Sequence, residues 1–279
     1  INADMVLNSA VGIGKITIDF KDLELEQDVT YEGFLNLKNV NLGKLSQSPV
    51  LGLSDFNIYI NGKGFSAESL DTEVEGKINT IGINNYSYKN ISIDGNLKYP
   101  LFDGKLKSLD PNFLFDFEGL ADASKNQNVY QFTSDIKYAD LYALNLIKKD
   151  TISVFKGNLS LNVKGNSIDD AVGQINFKNF NYKNSFDSYT FDDFVVESQA
   201  DGPLKKISIN SPDVINGQIN GNFKVTELTE FVNVSIRNLY FKNIVQKKFE
   251  DKNINFDFQI NNKVVEAFFP NISIAPNTF

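Results

Sequence analysis

Adjacent carboxylates are the first residues in this chain that could do chemistry. Asp169-Asp170 and Asp192-Asp193 are such pairs, and two carboxylates flanking one bond are what glycoside hydrolysis needs. Neighbours on a strand point to opposite faces, however. Ser167-Ile168-Asp169-Asp170-Ala171 also reads as a one-turn helical insert, where the acids fit better as caps. Asp55-x-Asn57 and Asp251-Lys252-Asn253 are fragments of a calcium loop without its Gly and distal Glu. The chain has no His and no Cys. Ser-His-Asp and Cys-His catalysis, imidazole or thiolate zinc sites and disulfides are therefore excluded within it. The expectation is a protein that is not an enzyme, with no metal and no cofactor.

Two other constellations point to binding. Tyr59, Tyr86 and Tyr130 lie on strand patterns, and exposed Tyr can stack on sugars, as in an extracellular β-repeat adhesin. The sequons at Asn90, Asn158, Asn233 and Asn271 matter only in a eukaryotic secretory chain. Net charge is −8 and Arg237 is the one Arg in 279 residues. Nucleic acid is not an expected partner, because that surface needs clustered Lys and Arg to displace counterions. A bidentate phosphate clamp is disfavoured for the same reason.

The elements carrying these residues are strands. The chain holds 24 Phe and 11 Tyr but one Met, a rigid aromatic load suited to pleated surfaces. Hydrophobic content is 42% and charged content 22%, which fits neither a disordered chain nor a bilayer-spanning one. No apolar run reaches the ~18 residues that a membrane helix needs.

A unit recurs. Gly76-Lys77-Ile78-Asn79 leads to Asn85-Tyr86-Ser87-Tyr88-Lys89-Asn90 and then Ile91-Ser92-Ile93-Asp94. Gly173-Gln174-Ile175-Asn176 leads to Asn179-Phe180-Asn181-Tyr182-Lys183-Asn184. Gly217-Gln218-Ile219-Asn220 and Asn238-Leu239-Tyr240-Phe241-Lys242-Asn243 are a looser third version. Each reads as a Gly-opened strand followed by a strand ending at Lys-Asn, which marks a repeat architecture.

Alternation at period two assigns one apolar face per strand. That face carries Ile16, Ile18 and Phe20; Phe56, Ile58 and Ile60; Ile81 and Ile83; Phe113, Phe115 and Phe117. It continues through Leu159, Leu161 and Val163; Ile175 and Phe177; Phe191; Phe223 and Val225; and Phe256 and Phe258. Further strands are expected at residues 232–236, 239–241 and near Val264. Short helical turns are expected at 39–45, 66–70 and 167–171, and residues 139–149 have the best helical spacing, as either a helical turn or a strand bridging Leu144 and Leu146.

No Pro/Gly/Ser-rich linker or composition break divides the chain. Residues 1–279 read as a single continuous segment, and Ile1 at the first position reads as a piece of a longer chain. About 20 strands are expected, far more than the ~10 that an open twisted sheet holds without curling or splitting. Two sheets could bury their apolar faces on each other. One long antiparallel sheet could instead curl into a U-shaped trough, roughly 95 Å long at ~4.8 Å per strand, with a continuous apolar groove inside.

The succession Gly33-Phe34-Leu35-Asn36-Leu37-Lys38-Asn39-Val40-Asn41-Leu42-Gly43-Lys44-Leu45 resembles the AsmA-like superfamily. So do Ile60-Asn61-Gly62-Lys63-Gly64-Phe65-Ser66, Val163-Lys164-Gly165-Asn166-Ser167-Ile168-Asp169-Asp170, and Ser211-Pro212-Asp213-Val214-Ile215-Asn216-Gly217-Gln218-Ile219-Asn220-Gly221-Asn222-Phe223. The likeness is to its TamB-type branch, the translocation and assembly module subunits, in a Bacteroidota-type version. The resemblance implies an all-β, highly curved "β-taco" with an apolar interior and a few one-turn helical inserts. It implies a periplasmic location, anchored to the inner membrane by an N-terminal segment outside these residues. It also implies an Omp85-class outer-membrane barrel as partner, met through a C-terminal domain not included here. Two functions follow: a conduit moving phospholipid between the membranes, or a platform assembling outer-membrane β-barrels by strand addition.

Overall fold

The computed structural model describes residues 1–9, 12–21, 29–64, 69–98, 100–123, 126–148, 150–212, 214–231, 234 and 253–260. They form one all-β, open antiparallel sheet whose strand order follows the chain from the first strand to the fifteenth. The strands are β1 (Asn2–Ser9), β2 (Gly12–Lys21), β3 (Thr30–Asn41), β4 (Leu51–Lys63), β5 (Asp71–Ile83), β6 (Tyr86–Lys98), β7 (Leu101–Asp110) and β8 (Phe113–Asp122). They continue as β9 (Val129–Asp140), β10 (Ser153–Lys164), β11 (Val172–Asn184), β12 (Ser188–Asp201), β13 (Leu204–Ser211), β14 (Ile215–Gly221) and β15 (Ile254–Ile260). One short helix, α1 (Leu42–Ser46), follows β3; its N-cap Asn41 side chain accepts from the Lys44 N–H, as a capping Asn does. Contacts group residues 1–160 with 179–190 into one unit and 161–178 with 191–279 into another.

In the first unit the register aligns apolar positions into rows across the sheet. The middle row runs Ile16, Leu35, Ile58, Gly76, Ile93, Leu106, Phe117, Ser134. One flanking row is Ile18, Gly33, Ile60, Val74, Gly95, Gly104, Gly119, Phe132, and the other Gly14, Leu37, Phe56, Ile78, Ile91, Ser108, Phe115, Ile136. The opposite face carries charge of both signs, as in Glu75, Asp94, Lys105, Glu118 and in Lys77, Ser92, Lys107, Asp116. This is the expected outcome of period-two alternation.

The strands crowd each other at the row of glycines. Gly95 and Gly104 are cross-strand partners. A methyl on Gly95 would come within 2.8 Å of the Gly104 Cα and 2.5 Å of the Asp103 carbonyl. Only glycine tolerates that approach. Gly95→Ala should therefore lower stability by about 1–3 kcal/mol, the range for overpacking, measured from the urea midpoint.

Of the Lys-Asn pairs expected to end strands, Lys183-Asn184 closes β11, Lys89-Asn90 lies inside β6, and Lys242-Asn243 lies outside the described residues. Asn39, Asn90 and Asn179 each lie inside a strand with left-handed backbone, at φ 50°, 54° and 51°. In each of these strands the apolar alternation slips by one position at the asparagine. In β3 it passes from Leu35 and Leu37 to Val40; in β6 from Tyr86 and Tyr88 to Ile91 and Ile93; in β11 from Ile175 and Phe177 to Phe180 and Tyr182. In β3 the register against β4 shifts between Leu37 and Val40, a bulge that absorbs the slip, whereas β6 passes Asn90 in unbroken register with β5, whose own apolar side chains step from Ile78 to Ile81. Asn is the non-glycine residue that accepts this conformation most readily. Residues 86–94, read from alternation as two strands, are thus one continuous β6.

Other expectations change as well. Fifteen strands are present among the described residues, not about 20. The stretch at 139–149 forms a turn at 141–145, not a helix. There β9 runs on to Asp140, whose carboxylate accepts the Tyr142 and Ala143 N–H groups, and Leu141 N–H bonds back to the Ser153 carbonyl. Leu144, at 1% exposed, anchors that turn. Residues 167–171 are a turn rather than a helical insert. Phe223 and Val225 do not share a strand, because Val225–Glu227 is a 3-10 turn. The inserts at 66–70 lie mostly outside the described residues, as do the strands expected at 232–236, 239–241 and near Val264. No described helix is long and apolar enough to cross a membrane.

Candidate functional site

The apolar face of the first unit has graded burial. Every residue of the middle row is half-buried, from Ile16 through Ile58 to Phe117. The rows beside it hold buried residues: Ile18 and Val74 on one side, Ile91 and Ser108 on the other. Aromatic rings continue the face towards the strand ends. Tyr86 meets Tyr88 at 4.7 Å, Tyr88 meets Phe113 at 6.1 Å and Phe113 meets Phe115 at 4.5 Å between centroids. Tilted and edge-on arrangements of this kind are the favourable ones.

A buried polar cluster sits under those rings. Asp110 is fully buried and follows Ser108 on the apolar face of β7. Its carboxylate accepts the Tyr86 hydroxyl at 2.6 Å, the Lys89 N–H at 2.8 Å and the Asn112 N–H at 2.8 Å. The Lys89 N–H lies beyond Ile91–Ser108, the last pair of the β6–β7 ladder, so the acid supplies the partner that the ladder no longer gives. Asp55 does the same for β3, accepting the Asn39 N–H at 2.6 Å. Burial, with the Asp110 hydrogen bond adding to it, pushes the Tyr86 phenol up to about 12.

Ile16, Ile18, Phe20, Phe56, Ile58, Ile60, Ile81, Ile83, Phe113, Phe115 and Phe117 share the apolar face of the first unit. Leu159 lies on β10 in that unit, half-buried. In the second unit Leu161 and Val163 are on β10, Ile175 and Phe177 on β11, and Phe191 on β12, where it packs on Phe194 at 5.4 Å. Phe256 and Phe258 align with Ile219 and Gly217. Phe223 and Val225 leave the sheet, Phe223 being buried in the segment after β14. Leu35, Ile93 and Leu106 complete the middle row; their parity within Gly33-Leu35-Leu37, Ile91-Ile93 and Gly104-Leu106 carries that information.

Lys205 is the residue that alternation should have flagged. It has the parity of Ile207 and Ile209 and so shares the apolar face of the second unit, at 7% exposed. Its ammonium donates to the Asp169 carbonyl. Burial holds its pKa below the usual lysine value, against the pull of Asp169 and Asp170.

The acidic pairs are occupied structurally. Asp170 accepts the Asn166 N–H at 3.0 Å, the Ser167 N–H at 2.6 Å and the Ser167 hydroxyl at 2.7 Å. These bonds, the Asn166 N–H foremost, bring its carboxyl down to about 2. Asp169 is also lowered, chiefly by the Thr226 N–H and then its hydroxyl. Asp192 and Asp193 are exposed neighbours on β12. Of the three tyrosines considered for sugar stacking, Tyr86 is bound to Asp110, Tyr59 donates to Glu32 at 2.6 Å, and Tyr130 accepts from Asn128 at 3.3 Å. An open depression of about 610 Å³ lies on the charged face of the first unit, among Lys77, Lys105, Lys107, Asp94 and Asp116. Lys105–Glu118 at 3.3 Å and Lys107–Asp116 at 3.6 Å already pair much of its charge.

No protein-family model, curated protein or solved structure matches this chain. The functional reading therefore rests on the faces of the sheet and their chemistry.

Proposed function

We propose that the apolar face is a non-enzymatic conduit for phospholipid acyl chains, in a protein of the AsmA-like, TamB-type kind working between two membranes in the periplasm. In this reading the sheet curls about its apolar face into a trough, and an Omp85-class barrel receives the lipid through another part of the protein. The observation that carries the proposal is the middle row of the first unit. In a closed sandwich the central row would be the most buried; here all of its residues are only half-buried, while Ile18 and Val74 on one side and Ile91 and Ser108 on the other are buried. Eight strands at ~4.8 Å make that row about 34 Å long, against the ~15 Å depth of one leaflet's acyl region. Each CH2 kept from water contributes about 0.8 kcal/mol, so sliding along such a row needs no catalyst.

The test is site-specific photocrosslinking in the complete protein in its membranes. A photoreactive side chain at Ile58 should capture phospholipid, and one at Asn57, on the opposite face, should not. Ile58→Glu should abolish lipid capture at Phe117 while leaving stability from urea denaturation within about 2 kcal/mol of the parent, because the site is half-exposed. Equal capture at Ile58 and Asn57, or loss of folding in Ile58→Glu, would rule the conduit out.

Strand addition has one observation of its own. The sheet is open, so β1 and β15 stand at the ends of the strand order, and an edge strand can template a client strand. Photoreactive residues at Val6 would then capture nascent barrel proteins rather than lipid.

A further inference from the structure

We infer that residues 222–231 are a releasable strap over the apolar face of the second unit, latched by Asp169, and that the surface beneath is an acyl-chain site. The inference deepens the conduit proposal and rests on it. On that face Ser198, Ile207, Ile219 and Phe256 form one row, and Val196, Ile209, Gly217 and Phe258 the next. After Gly221 the chain leaves the sheet. Phe223 is buried at 6% exposed, and the Phe231 ring stacks on Phe256 at 6.1 Å and 28°. The strap thus lays the Phe231 ring on the row that holds Ile219, although Phe256 keeps 42% of its surface exposed. Under it Ile219 is 9% exposed, whereas the middle row of the first unit is half-buried throughout.

The latch is polar and reaches the surface. Asp169 receives the Thr226 N–H at 3.0 Å and the Thr226 hydroxyl at 2.8 Å. Its own carbonyl takes the buried Lys205 ammonium, which fixes the turn between β10 and β11 to β13. Asp169 is only half-buried, so water can compete for both Thr226 bonds, and opening exposes no unpaired buried charge. The face beneath is mainly Ile, Val and Phe, with Ser198, Gly217 and the bonded Lys205 at its margin, and a phenyl ring of the strap lies on it now. An acyl chain is the occupant whose chemistry matches what the strap supplies.

The chain has no cysteine, so Ile219→Cys installs a unique thiol under the strap. The complete protein is compared with its Thr226→Val and Asp169→Asn versions, each checked for an intact urea transition. Two readouts are taken. One is the rate at which the thiol installed by Ile219→Cys reacts with a water-soluble maleimide. The other is capture of phosphatidylethanolamine from vesicles by a photoreactive residue at position 219, with position 58 in the first unit as reference. Both latch variants should raise maleimide reactivity and lipid capture at 219 by about three- to tenfold, the equivalent of one net hydrogen bond, with capture at 58 unchanged. Should one variant fail to fold, the other carries the measurement. Unchanged reactivity and capture at 219, with lipid still captured at 58, would overturn the strap alone. No lipid capture at 58 in any background would overturn the conduit. Faster maleimide reaction with a protein adduct at 219 would keep the strap and overturn the acyl chain as its occupant.

Discussion

Asp110→Ala should be the most damaging single substitution in the first unit, lowering stability by about 3–5 kcal/mol, the range for breaking a buried charged hydrogen-bond network. The carboxylate is fully buried and holds three donors from three positions: Tyr86, Lys89 and Asn112. Its removal strands the Lys89 N–H, which lies beyond the last β6–β7 pair, and leaves the Tyr86 hydroxyl to Asn112 alone at 3.2 Å. Urea denaturation measures the loss. A second readout is specific to the network. The Tyr86 phenol sits at about 12 in the folded protein, against 10.0 ordinarily. Its stabilising contribution is complete below pH ~10 and is lost as pH rises towards 12, because the unfolded chain deprotonates first. In Asp110→Asn the carboxylate's charge and hydrogen bond no longer oppose ionisation, so Tyr86 should titrate lower, followed by phenolate absorbance. An unchanged titration would mean that burial alone sets it.

The second large effect concerns Asn90, and three changes at that position separate backbone from side chain. Asn90→Gly should be nearly neutral, since glycine accepts φ 54° freely. Asn90→Val should cost about 2 kcal/mol, because a β-branched residue is strained in the left-handed region. Deleting Asn90 should be worse than either and prevent cooperative unfolding altogether. Deletion slides residues 86–89 by one position against β5, so Tyr86 and Tyr88 leave their places opposite Ile83 and Ile81 and the aromatic contacts with Phe113 disappear. Circular dichroism melts and urea midpoints of the three variants test the ordering. A deletion variant as stable as Asn90→Val would show that β6 re-registers and that the left-handed residue is dispensable.

These expectations mark how far linear information reaches. The all-β class and the faces of β2, β4 and β8 are legible because alternation is local: Ile16, Ile58 and Phe115 need only their own strand to declare a side. The Lys-Asn repeat is visible too, but its meaning is not. In a list of apolar positions a one-residue slip looks like the end of one strand and the start of another. Only the pairing of β3 with β4, across Leu37 and Val40 to Phe56 and Ser54, reveals a bulge in a continuous strand. The helical spacing of Leu141 and Leu144 misleads for a related reason. Asp140 caps a single turn, with the Leu144 N–H on its carbonyl. The Leu146 and Ile147 N–H groups, however, both return to Leu141, and the chain turns back to pair with Ser153 instead of winding on. Ser153 is too distant in sequence for local pattern to include it.

By itself, then, the sequence determined the chemistry that is absent, with no His or Cys to carry it, and the two-sided character of each strand. Composition and period-two alternation are properties of the chain before it folds. The tertiary structure decided which strands share a row, which of those rows stay half-exposed, and which polar groups are taken inside. Asp110, Lys205 and Asp169 owe their roles to partners tens of residues away, because burial and hydrogen bonding depend on distances in space that no single stretch of sequence encodes.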